Sequence, residues 1–264
     1  MTALNIALVQ KASGLDPQQN REQLGFTMDA LGAAHAEDSL GLVLFPEAYA
    51  CDFGPPGTDI SEHAEDLDGP FVKSMTFYAD EYAGTLVAGM FERSGDPARP
   101  YNTLVVAGRE GVEATYRKIH LYDSFGYKES DRLLAGDLEP VLVDVGGIRV
   151  GLMTCYDLRF PELARQLVTR GAELLVVPAA WVAGDRKVDH WRTLVKARAI
   201  ENTVYVAAAA QPGPRYCGHS MIVDPFGDVL VEAADGEETV EATVERRVVE
   251  KARSQNPSLA NRRL

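Results

Sequence analysis

The chain has 264 residues, 46% hydrophobic and 25% charged, with 26 Lys and Arg against 39 Asp and Glu for a formal net charge of -13. That length suits one large α/β domain or two fused halves, and the acidity disfavours nonspecific attachment to nucleic acid or anionic membrane. No apolar run reaches transmembrane length, Met1-Thr-Ala-Leu-Asn5 lacks the pattern of a secretion signal, and Cys51, Cys155 and Cys217 form no CxxC, so free thiols in a reducing, cytoplasmic setting are expected.

Leu4 to Val9 reads as a strand, followed by a helix from about Gln18 to Asp38 and a short apolar strand, Gly41-Leu-Val-Leu-Phe-Pro46, that delivers Glu47. Residues 48–70 are rich in glycine, proline and acids and read mainly as a surface excursion, with Tyr49, Cys51 and Phe53 as candidates for a pocket wall. A helix over 71–82 and strands over 85–91 and 101–107 come next, then Glu113-Ala-Thr-Tyr-Arg-Lys118, which delivers Lys118. Residues 122–138 form an irregular insertion, because Gly126 and Gly136 oppose one continuous helix.

The second half loosely echoes the first. A hairpin about Gly146-Gly147 leads into Arg149-Val-Gly-Leu-Met-Thr154, an extended run ending at Cys155, and Pro161 and Glu162 open the next helix. Strands over 173–178 and 203–208 enclose a helix from about Val188 to Glu201; short strands flank the turn Asp224-Pro-Phe-Gly227, and 238–244 closes the pattern. Two packed mixed sheets with outer helices fit this order better than a single Rossmann sheet, and neither GxGxxG nor a Walker sequence is present. Residues 1–244 form one domain in this reading, with 245–264 a basic tail on the surface or on a partner subunit.

A free cysteine at a strand end is commonly a packing residue, and a glutamate or lysine there is commonly a solvated loop residue. Together, however, carboxylate, ammonium and thiol at three strand ends are the groups that covalent acyl transfer needs as base, electrophilic stabiliser and nucleophile. The segments Phe-Pro-Glu47, Tyr-Arg-Lys118-Ile-His-Leu-Tyr-Asp and Thr-Cys155-Tyr-Asp-Leu-Arg-Phe-Pro-Glu162 resemble the three signatures of the nitrilase superfamily of carbon-nitrogen hydrolases, in order and spacing, from Asn5 to about Val244.

The resemblance implies a four-layer α-β-β-α sandwich, a Glu47-Lys118-Cys155 triad, a supporting Glu129, an oxyanion contact from the Tyr156 N–H, pairing into a homodimer or larger homo-oligomer, and no cofactor. The positive charge of Lys118 and the N–H groups of the turn are expected to favour a Cys155 thiolate. Arg117 falls on the opposite face from Lys118 by strand alternation and reads as structural, as does His120; Asp157, Arg159 and Glu162 read as capping and ion-pair residues behind the nucleophile. The five histidines are scattered, and no metal site is expected.

Tyr156 follows the cysteine where nitrilases commonly carry Trp, and the Cys155 motif is similar to the amidase branch containing omega-amidases and deaminated glutathione amidases. A small-molecule amide of a carboxylic acid, hydrolysed through a thioester with release of ammonia, is therefore the expected substrate. N-carbamoyl or beta-ureido acids, nitriles, and a noncatalytic assembly role are the alternatives. Tyr49, Phe53, Phe125, Trp181 and Val182 are the candidate pocket residues.

Overall fold

A computed structural model describes residues 2–35, 40–82, 84–124 and 126–263. The first half contains β1 (Ala3–Gln10), α1 (Pro17–Ala34), β2 (Leu42–Leu44), α2 (Pro70–Glu81), β3 (Thr85–Glu92), β4 (Tyr101–Gly108) and β5 (Gly111–Arg117). A two-stranded excursion, β6 (Asp123–Ser124) and β7 (Tyr127–Lys128), precedes the second half. There β8 (Leu142–Val145), β9 (Ile148–Leu152), α3 (Pro161–Thr169), β10 (Leu174–Ala179), α4 (Lys187–Asn202) and β11 (Tyr205–Ala210) are followed by β12 (Met221–Val223), β13 (Val229–Glu232), β14 (Glu238–Glu245) and α5 (Arg246–Gln255).

Two six-stranded mixed sheets result, in the orders β14-β1-β2-β3-β4-β5 and β13-β12-β11-β10-β9-β8. In the first, β1, β2 and β3 are parallel; in the second, β9, β10 and β11 are. The two-residue period of a strand builds the layers. Leu4, Ile6 and Leu8 of β1 enter the core between the sheets, which also holds Val150, Leu152 and Val176, whereas Ala7 and Val9 enter a second core with Leu24 and Met28 of α1 and Phe71 and Met75 of α2. Leu163 and Leu167 of α3 and Val195 and Ala199 of α4 cover the other sheet, completing the four expected layers.

The last strand departs from a simple two-half echo. β14 pairs antiparallel with β1 over eight residues, from Ala3↔Glu245 to Gln10↔Glu238, so it completes the first sheet although it follows the second in sequence. Beyond it, α5 buries Val249 and Ala252, and Arg246 binds Glu173 at 2.6 Å, within the segment expected as a tail. The excursion after Glu47 also differs from expectation, because residues 48–54 are buried. Their polar groups are satisfied internally, as when Asp52 takes up Arg215 and the Tyr216 hydroxyl, both at 2.6 Å. Among the described residues no helix is long and apolar enough to cross a membrane.

Candidate active site

Three strand ends converge where the two sheets meet, at the carboxyl edge that open α/β sheets use for ligands. Glu47 lies three residues beyond β2, and the chain turns away from it through Ala48 at φ 53. That turn is hung on Gly89 of β3, whose N–H donates to Pro46 O at 3.2 Å and whose carbonyl accepts from Ala50 N at 3.0 Å. Lys118 follows β5 directly, and its N–H donates to Asn102 O at 2.8 Å. Cys155 follows β9 by three residues and opens a 3-10 turn, Cys155–Arg159, at φ 43.

The capping role read for Asp157 is present: its Oδ2 accepts from Thr154 N at 2.8 Å, and its own N–H donates to Thr154 O at 2.9 Å. Asp157 also accepts from His120 Nδ1 at 2.7 Å, His120 N at 3.2 Å and the Tyr116 hydroxyl at 2.6 Å. The cysteine turn is thereby bound to the segment carrying Lys118. His120, stacked on Phe160 with centroids 3.8 Å apart, belongs to this support. Arg117 pairs with Glu92 at 2.5 Å on the face away from Lys118, and Arg198 Nε donates to Leu158 O at 3.0 Å, tying α4 to the same turn.

The charged centre is almost dry: Glu47, Lys118 and Glu129 are exposed by 1%, 2% and 1%. Lys118 Nζ lies 2.8 Å from Glu47 Oε1 and 3.1 and 3.0 Å from the two Glu129 oxygens. Burial alone lowers an ammonium pKa, but Glu129 and then Glu47 outweigh it, and Lys118 is held well above its ordinary value. Glu129 is raised by burial, with Glu47 adding to the rise, and is steadied by the Tyr122 N–H at 2.5 Å. The second Glu47 oxygen accepts from Ala180 N at 2.7 Å.

The thiolate expected at Cys155 is not what this environment favours. Burial, and after it the Glu47 carboxylate, raise the thiol pKa well above its ordinary value, because Lys118 is already engaged by two carboxylates. Beside the Glu47 carboxylate Cys155 is favoured as a neutral thiol. The other two cysteines are buried and pushed up to about 12, chiefly by desolvation.

A cavity of about 400 Å³ opens over Glu47, Lys118, Glu129 and Cys155. Phe53, Trp181 and Val182 line it, as expected from sequence. Tyr49 does not: it is fully buried against Phe45 in the core under α1, with its hydroxyl 3.3 Å from Gln23. Phe125 lies outside the described residues. Cys51 packs in a separate cluster with Phe53 and Tyr216 and is not in the wall.

Arg159, read as an ion-pair residue behind the nucleophile, instead faces the cavity. Its guanidinium lies 4.8 Å over the Trp181 ring, and its buried Nε and Nη2 have no hydrogen-bond partner among the described residues. Arg215 and Lys187, neither singled out from sequence, also reach the wall, with Lys187 Nζ 3.3 Å from the Tyr122 hydroxyl. Asn102 was missed as well: its Nδ2 is 2.8 Å from Glu47 Oε1 and 3.3 Å from Glu129 Oε1. The one signal for it was a polar amide within an apolar run, which is costly to bury unless paired. Among the described residues no three His, Cys, Asp or Glu side chains are grouped to hold a metal ion.

The sequence model for carbon-nitrogen hydrolases matches residues 5–254. A hydrolase of Mycobacterium tuberculosis is 40% identical over 275 residues, spanning 98% of this chain and 95% of that protein. A deaminated glutathione amidase of Escherichia coli O157:H7 is 39% identical over 234 residues, or 89% of each. The crystal structure of a CN-hydrolase superfamily protein of Xanthomonas campestris, with an arsenic adduct in its active site, superposes with a TM-score of 0.89 at 30% identity, covering 100% of this chain and 98% of that one.

Proposed function

The chain belongs to the carbon-nitrogen hydrolase family and performs cysteine-dependent hydrolysis of a carbon-nitrogen bond in small amides, and from that premise we propose that Cys155 is the nucleophile, Glu47 the general base and Lys118 the oxyanion stabiliser. The observation that carries this reading is the meeting of a thiol, a carboxylate and an ammonium from three separate strand ends at one cavity floor. Glu47 takes the thiol proton as Sγ bonds to the amide carbon, then passes it to the departing nitrogen as the C–N bond breaks. The same carboxylate deprotonates water for attack on the thioester, and the proton returns to Sγ as the C–S bond breaks. In each tetrahedral intermediate Lys118 and the Tyr156 N–H face the oxyanion; Tyr156 precedes the first bond of its 3-10 turn, from Asp157 N to Thr154 O, so its N–H has no acceptor within that turn. Glu129 holds the lysine against both half-reactions.

The substrate class we propose is a small carboxylic acid bearing a distal primary amide, with ammonia as the first product. Arg159 supports it: a guanidinium lining a largely apolar cavity suits a carboxylate, and the Trp181 ring 4.8 Å from its centre holds it at the wall. Phe53, Trp181 and Val182 would pack against the carbon chain. The test is ammonia release from an omega-amide, its methyl ester at the carboxyl end, the matching nitrile and an N-carbamoyl acid. The free acid amide is expected to exceed its ester by about 10²-fold in kcat/KM, since the ester leaves the half-buried Arg159 charge without a counter-charge. Preference for the nitrile or carbamoyl compound overturns the substrate class; intact mass without a Cys155-linked acyl adduct overturns the nucleophile. We further propose a homodimer or larger homo-oligomer in the cytoplasm, the latter reading supported by three free, buried cysteines.

A further inference from the structure

Asn102 is fully buried at the second position of β4, opposite Phe91 of β3. Its carbonyl accepts the Lys118 N–H, so one residue holds the lysine's backbone and reaches both glutamates with its side chain. The amide orientation is forced. Turning it over would aim Oδ1 at two carboxylate oxygens; as placed, Nδ2 faces them and Oδ1 is left buried without a partner among the described residues. An unpaired buried carbonyl oxygen is a cost that a purely structural site avoids by using an apolar residue.

The reason for tolerating it lies in the charge balance. Two carboxylates share one ammonium, and like charges at such range push a proton onto one of them. A base must stay ionised at working pH. A second cation beside Glu47 would keep it ionised but also weaken it as a base and compete for the oxyanion, whereas an amide dipole favours the ionised form without adding charge. Asn102 does not line the cavity, so substrate contact is not its task.

We propose that Asn102 is a positioning residue that fixes Glu47 Oε1 through its Nδ2 donor, leaving the other carboxylate oxygen to the Ala180 N–H. This rests on Glu47 being the base. Among the described residues the other titratable groups facing the cluster are Lys118, Glu129 and Cys155, with the Tyr216 phenol on the Glu47 side and those of Tyr122 and Tyr127 toward Lys118; Arg159, Lys187 and Arg215 stand elsewhere on the cavity wall.

The experiment is kcat, KM and the pH profile of kcat/KM for Asn102→Ala and Asn102→Ser on the full chain, with Glu47→Gln alongside. Removing a donor to a carboxylate raises its pKa, so the acid limb, which belongs to the glutamate pair, moves to higher pH by about one unit in the alanine variant, with kcat lowered roughly 10- to 100-fold and KM held within about twofold. Serine, which restores a hydroxyl donor, recovers part of both losses. A folded alanine variant with an unmoved acid limb overturns the proposal, as does serine behaving no better than alanine. If the alanine chain does not fold, the serine chain carries the test: a smaller upward displacement is expected, and an unmoved limb with reduced kcat overturns it. Parent-like turnover in Glu47→Gln would instead remove the base assignment, a result separate from either Asn102 outcome.

Discussion

Replacing Gly89 with alanine adds one methyl group to the strand on which the Glu47 turn is hung. An ideal Cβ at that position lies 2.5 Å from Ala48 N, 2.8 Å from Glu47 Cα and 3.0 Å from Glu47 C, where ordinary contact begins near 3.4 Å. All three neighbours are backbone, so no side chain can rotate aside, and the Glu47–Ala48 peptide must withdraw by roughly 1 Å; a displacement of that size at a reacting group costs on the order of 10²-fold in rate. The turn is also held by two hydrogen bonds to Gly89 itself, so the strand and loop cannot part without losing them. Overpacking of this kind lowers stability by about 1–3 kcal/mol, which leaves a folded protein to assay. Ammonia release from the preferred amide should fall about 10²-fold in kcat/KM, while Gly95→Ala, where nothing lies within 4 Å of the added carbon, should match the parent. A folded Gly89→Ala chain, judged by circular dichroism and melting, with parent-like kcat/KM would refute the claim that Gly89 sets the position of Glu47.

Cys155→Ala should abolish turnover with little loss of melting temperature, whereas Cys51→Ala and Cys217→Ala should retain substantial activity; residual hydrolysis near the parent rate in the first variant is the contrary result. Because burial and Glu47 raise the Cys155 pKa, protonation is favoured throughout the neutral range and thiolate appears only as pH rises well beyond it. The thiolate absorbance difference between the parent and Cys155→Ser should therefore be absent at neutral pH, and a clear difference there would contradict the electrostatic argument. Asp157→Asn should cost roughly 2–3 kcal/mol in chemical denaturation, since a charged acceptor of four bonds is replaced by a neutral amide; an unchanged midpoint would show that these four bonds are not limiting. Light scattering over a dilution series should find a dimer or larger closed species, and an active monomer throughout would exclude it.

Strand-like runs were enough to bring three residues together: Glu47 and Cys155 each follow a largely apolar run and Lys118 ends an extended, mostly polar one, and the three runs become strands whose ends meet at one cavity. Glu129 was legible only through family resemblance, because its segment has no period to place it. Tyr49 was misread because glycine, proline and acids nearby suggest a solvated loop, whereas Asn20, Gln211 and Arg215 satisfy that segment's backbone and acids internally and let it sink. Arg159 was misread because its spacing from Cys155 fixes neither the direction of its long side chain nor the Trp181 ring on which it rests. Asn102 left almost no trace, since its role depends on three groups distant in sequence. The thiolate expectation failed for a related reason: counting Lys118 as a free charge ignores the two carboxylates that occupy it.

The eight-pair ladder between β1 and β14 works as a clasp in time as well as in space. β1 has only three paired positions with β2, so during synthesis its other edge stays bare until some 230 residues later, when Glu238–Glu245 emerges. Closing so long a loop adds little to the thermodynamic cost, about 0.6 kcal/mol for each doubling of length, but such distant pairings are slow to form. An unpaired apolar edge is meanwhile open to strands from other chains. Gln10, at the end of β1, completes the clasp by donating to the carbonyls of Ala234 and Gly236 and accepting from Ser220 N. Interruption of translation within β14 should therefore yield aggregation-prone chains rather than a smaller working enzyme, and a chaperone that shields Ala3–Gln10 would act at the most vulnerable stage of this protein's life.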